Sequence, residues 1–308
     1  MELIRPPRLR AGDRVALVAP AGPITPERLS NAIELCESLG LMPVTAENAA
    51  GRAGYFSAPD AQRARDLQSA IDDDSIAAIW ALRGGYGTMR ILPLLDLRRL
   101  RARPKAYIGF SDNTALHMAL LNAGLVSFHG PHAGGDFPED VRAAFQAVLF
   151  EPAAAGPLPL LGGEPARTLT PGRVSAPLIG GNLALLAALC GTPYQPVTAG
   201  RILFFEDVGE PAYRVDRMLV QLRMSGALDG VAGVAVGRFT ECEAREGEPA
   251  VLDVVHEFVR SLGVPAATGF PIGHVPANWT LPIGVQAVLD ADDGALTLTE
   301  PAVAKGSA

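Results

Sequence analysis

The chain has 308 residues, 48% of them hydrophobic and 19% charged, so it can bury a sizeable core and is not globally disordered. Its net charge of −7 lacks the basic surface that replaces phosphate counterions, which excludes an ordinary nucleic-acid binder. Three widely spaced cysteines (Cys36, Cys190, Cys242) without a CxxC pair fit neither a disulfide framework nor a zinc knuckle.

Predicted elements alternate along the first half. Residues 14–19 (RVALVA) read as a buried strand that ends in Pro20-Ala21-Gly22-Pro23. The preceding Arg5, Arg8 and Arg10 loosely imitate an export signal, but the apolar run stops after seven residues, so a first strand in a cytoplasmic protein is the expectation. No apolar run reaches the roughly 20 residues of a membrane span. Leu29, Ile33, Cys36 and Leu39 recur at helical spacing, and Gly40 marks the end of that helix. A second strand is expected at 42–45, an amphipathic helix at 60–71, and a nearly continuous apolar strand at 76–82. That strand runs into Arg83-Gly84-Gly85-Tyr86-Gly87. A further strand at 106–110 is followed at once by Ser111-Asp112-Asn113 and a helical run at 114–121.

This alternation predicts an α/β protein with a parallel sheet and crossover helices, its functional loops at the carboxyl ends of strands. Residues 151–170, rich in Pro, Gly and Ala without a period, are expected to link an N-terminal domain (1–150) to a C-terminal one (171–308). The second half predicts a Gly180-Gly181-Asn182 turn opening a helix through Leu189. Strands at 201–205 and 231–236, helices at 214–224 and 252–262, and closing β-structure at 280–298 complete it.

The sharpest chemical signal is Gly109-Phe110-Ser111-Asp112-Asn113. A serine where a strand turns into a helix can present its hydroxyl beside the free N–H groups of the new helix, as in a nucleophile elbow. Asn113 replaces the second glycine of that pattern, and a plain N-cap role for Ser111 competes. An activated serine needs a base and a group that orients it. Of five histidines, His117 should point away along its own helix, His256 lies mid-helix, and His129 and His132 flank a loop. His274 leaves a strand through a glycine-rich loop, a position open to a base. Glu206 follows an apolar run at a strand's carboxyl end, where a charge must be paired or face a cleft; an acidic capping cluster with Asp207 and Glu210 is the other reading. The 83–87 loop could aim N–H groups at an oxyanion or phosphate, or be only a tight turn; it matches neither dinucleotide nor P-loop spacing.

Read in order, VALVAPAG (15–22), ALRGGYG (81–87), IGFSDNTAL (108–116), FHGP (128–131), LIGGNLALLAALCGTPY (178–194), FFEDVGEPAYRVDRMLVQL (204–222) and GFPIGHV with TLPIG (269–284) resemble the LD-carboxypeptidases, serine peptidase family S66. The resemblance spans nearly the whole chain. It implies a Rossmann-like N-terminal domain carrying the nucleophile Ser111, and a C-terminal swivelling β/α domain supplying the acid Glu206 and the base His274. It also implies oxyanion donors at the Gly85 and Asp112 amides, no metal or cofactor, and a homodimer that removes the terminal D-alanine from murein tetrapeptide in cytoplasmic peptidoglycan recycling. Arg83, Asn182 and Arg238 are candidates for the substrate carboxylates. Two alternatives stand beside it: a microcin-immunity-type hydrolase of aminoacyl-nucleotide amides, and a non-catalytic muropeptide- or nucleotide-binding module. Against the first, residues 131–173 hold no tryptophan or tyrosine to meet a nucleobase.

Overall fold

A computed structural model describes residues 3–159, 166–244 and 246–306. The chain divides into two compact units. The first comprises Met1–Ala153, Thr280–Gly284 and Pro301–Ala308; the second comprises Ala154–Trp279 and Val285–Glu300.

In the first unit, strands β1 (Arg14–Val18), β2 (Met42–Thr45), β3 (Ile76–Ala81), β4 (Ala106–Gly109) and β5 (Ser127–His129) lie parallel in the order 2-1-3-4-5. Helices α1 (Pro26–Ser38), α2 (Asp60–Asp72), α3 (Thr88–Ile91), α4 (Arg98–Ala102), α5 (Thr114–Asn122) and α6 (Glu139–Leu149) connect or follow them. The apolar run of β3 reflects its central place. Trp80 is fully buried, stacks on Phe145 of α6 at 4.9 Å, and donates its indole N–H to the Pro131 carbonyl at 2.8 Å. The strand order reverses between β1 and β3, and in doubly wound sheets the crevice outside the carboxyl ends at such a switch is where ligands bind. The loop after β1, the glycine loop after β3 and the serine turn after β4 all leave from that end. Gly22 N–H donates to the Gly84 carbonyl at 3.0 Å, tying the first two together.

The second unit is built on an eight-stranded mixed sheet. Its strands are β6 (Ala154–Pro157), β7 (Arg167–Thr170), β8 (Arg173–Asn182), β9 (Ile202–Val208), β10 (Gly233–Thr240), β11 (Ala266–Thr268), β13 (Gln286–Asp290) and β14 (Ala295–Pro301), with β12 (Leu281–Ile283) lying in the first unit. The order is 6-14-13-8-9-10-11-7, and β8 to β11 form a parallel core. Helices α7 (Leu183–Ala188), α8 (Ala212–Met224) and α9 (Val251–Arg260) alternate with its strands.

Three sequence expectations differ from what is observed. Part of the expected linker is ordered as strands β6 and β7, because both find partners on opposite edges of the sheet; its residues 160–165 lie outside the described residues. The closing β-structure is shared between the units: β12 pairs antiparallel with β5, with Leu281 opposite His129. Gly180 and Gly181 form the end of β8 and not a turn. Gly180 lies so close to the neighbouring strand that a Cβ there would run into the Phe204 carbonyl oxygen, so the glycine serves strand-to-strand approach.

Candidate active site

In the first unit β4 ends at Gly109 and the chain turns through a single 3-10 turn, Ser111–Asn113, into α5. Ser111 has φ +60°, one of only two non-glycine residues with positive φ among those described. For an L-residue that conformation costs on the order of 1–2 kcal/mol, and surrounding structure must hold it. The capping reading does not describe it: Phe110 is the N-cap of the 3-10 turn and Asn113 that of α5.

The neighbours of Ser111 account for the held geometry. Gly84 packs against it so closely that a Cβ would stand 2.8 Å from the serine Cβ, 3.0 Å from its Oγ and 3.2 Å from the Asp112 nitrogen. The next residue, Gly85, has φ +108°, a conformation that suits glycine. The Asp112 side chain is held by the start of α3: Oδ2 accepts the Thr88 N–H at 2.8 Å. Burial raises its carboxyl above the ordinary range, against the lowering effect of hydrogen bonds from Thr88 and Gly87. Asn113, the departure from the elbow pattern, has its own job. Its Nδ2 donates to the Phe110 carbonyl at 2.9 Å, and its Oδ1 accepts from the Tyr107 hydroxyl. The carboxamide fits because Gly109 has no side chain; a Cβ there would lie 3.0 Å from Asn113 Cγ.

In the second unit, Glu206 and His274 meet across 68 residues of sequence, with His274 Nδ1 2.7 Å from Glu206 Oε2. Glu206 lies within β9 and is fully buried, while the imidazole keeps 24% of its side chain exposed. A carboxylate can only accept, so Nδ1 carries a hydrogen, and in the neutral ring Nε2 then keeps the lone pair, the tautomer a general base requires. Burial alone would lower the pKa of His274. The hydrogen bond and charge of Glu206, joined by the charges of Asp207 and Glu241, outweigh it and raise the ring above its ordinary value.

Two glycines to which the sequence pattern assigns no individual role make this pair possible. A Cβ at Gly273, which has φ +110°, would fall on the Glu206 carboxylate and 2.7 Å from its Cβ. One at Gly237, beside a bulge in β10, would stand 3.1 Å from Glu206 Cβ. Buried Asn278 then accepts the Gly273 N–H at 2.8 Å, fixing the backbone one residue before the imidazole. The GFPIGHV motif and its following asparagine were the available signal; the contact with a strand 67 residues away was not.

The remaining candidates divide by what already holds them. Asn182 is the N-cap of α7, accepting Leu185 N–H at 3.2 Å, and its Nδ2 donates to Asp207 Oδ1 at 2.9 Å, so it does structural work at the end of β8. Burial raises Asp207 to about 6, with the Glu206 charge pushing the same way and hydrogen bonds from Val208, Asn182 and Ala184 opposing. Arg83 is exposed and donates to the Pro23 carbonyl at 2.7 Å. Arg238 sits half-buried on β10, its N–H on the Ile272 carbonyl at 3.0 Å. His117 is locked in the core between Ser127 Oγ (2.9 Å) and the Gly109 carbonyl (2.8 Å), and burial lowers it to about 4. His129 belongs to β5 and not to a loop, and buried His132 stacks on Phe110 at 4.2 Å. His256 lies on α9, lowered by burial.

A strained serine at a strand-to-helix turn, and a buried carboxylate holding an imidazole in the basic tautomer, are the parts of a serine hydrolase. The comparisons with known proteins narrow that class. Residues 15–130 match the LD-carboxypeptidase N-terminal domain and residues 175–289 the LD-carboxypeptidase C-terminal domain. The murein tetrapeptide carboxypeptidase of Pseudomonas aeruginosa is 35% identical over 295 residues, covering 91% of this chain and 94% of that protein. The crystal structure of a muramoyltetrapeptide carboxypeptidase from Oxalobacter formigenes superposes with a TM-score of 0.81 at 32% identity, covering 94% of this chain and 99% of that one. A structure of the microcin C7 self-immunity protein MccF, bound to aspartyl sulfamoyl adenosine, gives a TM-score of 0.89 at 24% identity, over 98% of this chain and 100% of that one; it attests the fold alone. The chain belongs to the LD-carboxypeptidase family, a family of serine carboxypeptidases.

Proposed function

We propose that this protein is a murein tetrapeptide LD-carboxypeptidase in which Ser111 is the nucleophile, His274 the general base and acid, and Glu206 the group that orients the base. Ser111 Oγ attacks the carbonyl of the diamino acid, and its proton passes to His274 Nε2. The oxyanion is received by the amides of Asp112 and Gly85; one such donor is worth roughly 3 kcal/mol in comparable hydrolases. The C–N bond breaks as His274 returns the proton to the leaving D-alanine amine. Water, deprotonated by the same imidazole, then frees the tripeptide from the acyl-enzyme. Every step uses side chains and amides of the chain itself.

The observation that carries this reading is the positive φ of Ser111. A capping serine has no use for a left-handed backbone, whereas a nucleophile that must project from a tight turn does. Arg83 and Arg238 are proposed to meet substrate carboxylates; Asn182 is better accounted for by its cap. The reading extends to a homodimer acting in the cytoplasm on peptides returned from the wall, an expectation of the family resemblance. No helix among the described residues is long and apolar enough to cross a membrane. The murein peptidase reading is preferred to an immunity-type hydrolase because the carboxypeptidase relatives stand at 32–35% identity.

The test is covalent. A fluorophosphonate probe should label wild-type protein at Ser111, identified by peptide mapping, and the label should be lost in Ser111→Ala. Labelling elsewhere, or unchanged labelling of the variant, overturns the assignment.

A further inference from the structure

Beside the serine loop lies a group of side chains that the hydrolytic steps do not use. Tyr55 and Tyr86 are large aromatic residues left 66% and 49% exposed. Their rings lie 5.9 Å apart, and both pack on Phe56, at 4.4 Å from Tyr55 and 5.7 Å from Tyr86. The cluster is braced from below. Arg63 is fully buried with its guanidinium 4.6 Å from the Phe56 ring centre, and Arg90 stands 5.3 Å from it. Arg63 also donates to the carbonyls of Ala58 (2.9 Å), Gly87 (3.0 Å) and Pro20, and pairs with Asp60. A single buried cation thus fastens the loop after β1, the glycine loop after β3 and the start of α2. Gly87 lets them close: a Cβ there would stand 2.9 Å from the Phe56 ring. Three rings held this firmly, two of them on widely exposed residues, form a ledge and not a stray apolar patch.

We infer that the Tyr55–Tyr86 ledge is a sugar subsite, which stacks the amino-sugar ring carried on the amino end of the peptide substrate. The inference rests on the murein-peptide reading above and extends it. A pyranose presents an apolar face of C–H groups and a rim of hydroxyls, which suits exposed aromatic rings that end in phenol hydroxyls. The reach agrees. Tyr86 is two residues from Gly84, which touches Ser111, so its Cα lies within about 8 Å of Gly84, and Tyr55 adds one ring spacing. Three extended residues separate the sugar-bearing end of a tetrapeptide from the bond before its last residue, a span of about 10–11 Å.

The experiment compares kcat/KM for the free tetrapeptide and for the same peptide carrying its muramoyl sugar, in wild type and in Tyr55→Ala. Tyr55 lies outside the glycine loop, so the substitution leaves the residues proposed for chemistry in place. The expected result is a preference of wild type for the sugar-bearing substrate, a loss of about tenfold on that substrate in Tyr55→Ala, and an unchanged rate on the free peptide. Equal loss on both substrates, or no loss on either, overturns the subsite. Calorimetric titration of the sugar-bearing peptide into Ser111→Ala, with and without Tyr55→Ala, supplies a readout independent of turnover. Weaker binding in the double variant supports the ledge even if wild type cleaves neither substrate, an outcome that would overturn the function proposed above. Equal binding overturns the ledge.

Discussion

Adding one methyl group at Gly84 should disable the enzyme with little effect on its fold. Gly84 lacks the positive φ that would penalise a side chain, so Gly84→Ala carries no backbone cost of that kind. The methyl would instead stand 2.8 Å from Ser111 Cβ, 3.0 Å from Oγ and 3.2 Å from the Asp112 nitrogen, where carbon contacts settle at about 3.5–4.0 Å. Something must move by several tenths of an ångström, and the atoms in the way are those of the proposed nucleophile and of a proposed oxyanion donor. Relieving such overpacking costs about 1–3 kcal/mol of stability. Displacing one oxyanion donor costs about 2.7–4 kcal/mol of transition-state stabilisation, or 10²- to 10³-fold in kcat. Coupled detection of released D-alanine, alongside the thermal midpoint, separates the two effects. The expected outcome is a fall in kcat of at least about a hundredfold with a folded, cooperatively melting protein. Wild-type kcat in a folded Gly84→Ala would refute the placement of the chemistry at this turn.

Three other outcomes are expected. Ser111→Gly should abolish turnover yet raise stability by about 0.5–1 kcal/mol, since glycine relieves the left-handed strain at some entropic cost; a lower denaturant midpoint would contradict it. Glu206→Gln should reduce kcat by roughly 10⁴-fold through loss of the correct tautomer. The acid limb of its residual kcat/KM should also move to lower pH, because burial then acts on His274 without the opposing carboxylate; a limb that stays or rises argues against the pair. His117 has a folded-state pKa lowered to about 4, so the unfolded chain binds the extra proton between that value and the ordinary 6.5. Its contribution is therefore fully present above pH 6.5 and is lost as pH falls through 4, about 3 kcal/mol in all. Denaturation midpoints of wild type and His117→Gln across that window should converge at low pH, and parallel curves would count against the assignment.

The parallel sheet of the first unit was legible because its strands are short apolar runs between amphipathic helices, a pattern carried by consecutive residues. The turn at Ser111 is legible for the same reason, as a polar triplet set between a strand and a helix. Glu206 and His274 stood out as polar residues ending apolar segments, but their 2.7 Å contact depends on β9 and the 269–274 segment coming together, which no local pattern encodes. Gly237 and Gly273 show the limit more sharply. Each is required by an atom of Glu206, a residue distant in sequence, so each looks like any loop glycine until the strands are paired. Gly180-Gly181 suggests a turn for the converse reason: glycine pairs mark turns, and here one marks a strand crowded by Phe204. The return of β12 to the first sheet was hidden too, since a three-residue strand acquires its partner only from tertiary structure.

The central claim is that Ser111 cuts one bond of one peptide. Mass spectrometry of muramoyltetrapeptide incubated with wild type, Ser111→Ala and His274→Ala tests this directly. Loss of a single D-alanine in the wild-type reaction, with no detectable tripeptide from either variant, is the result expected. Tripeptide released by Ser111→Ala at the wild-type rate would contradict the account at its root.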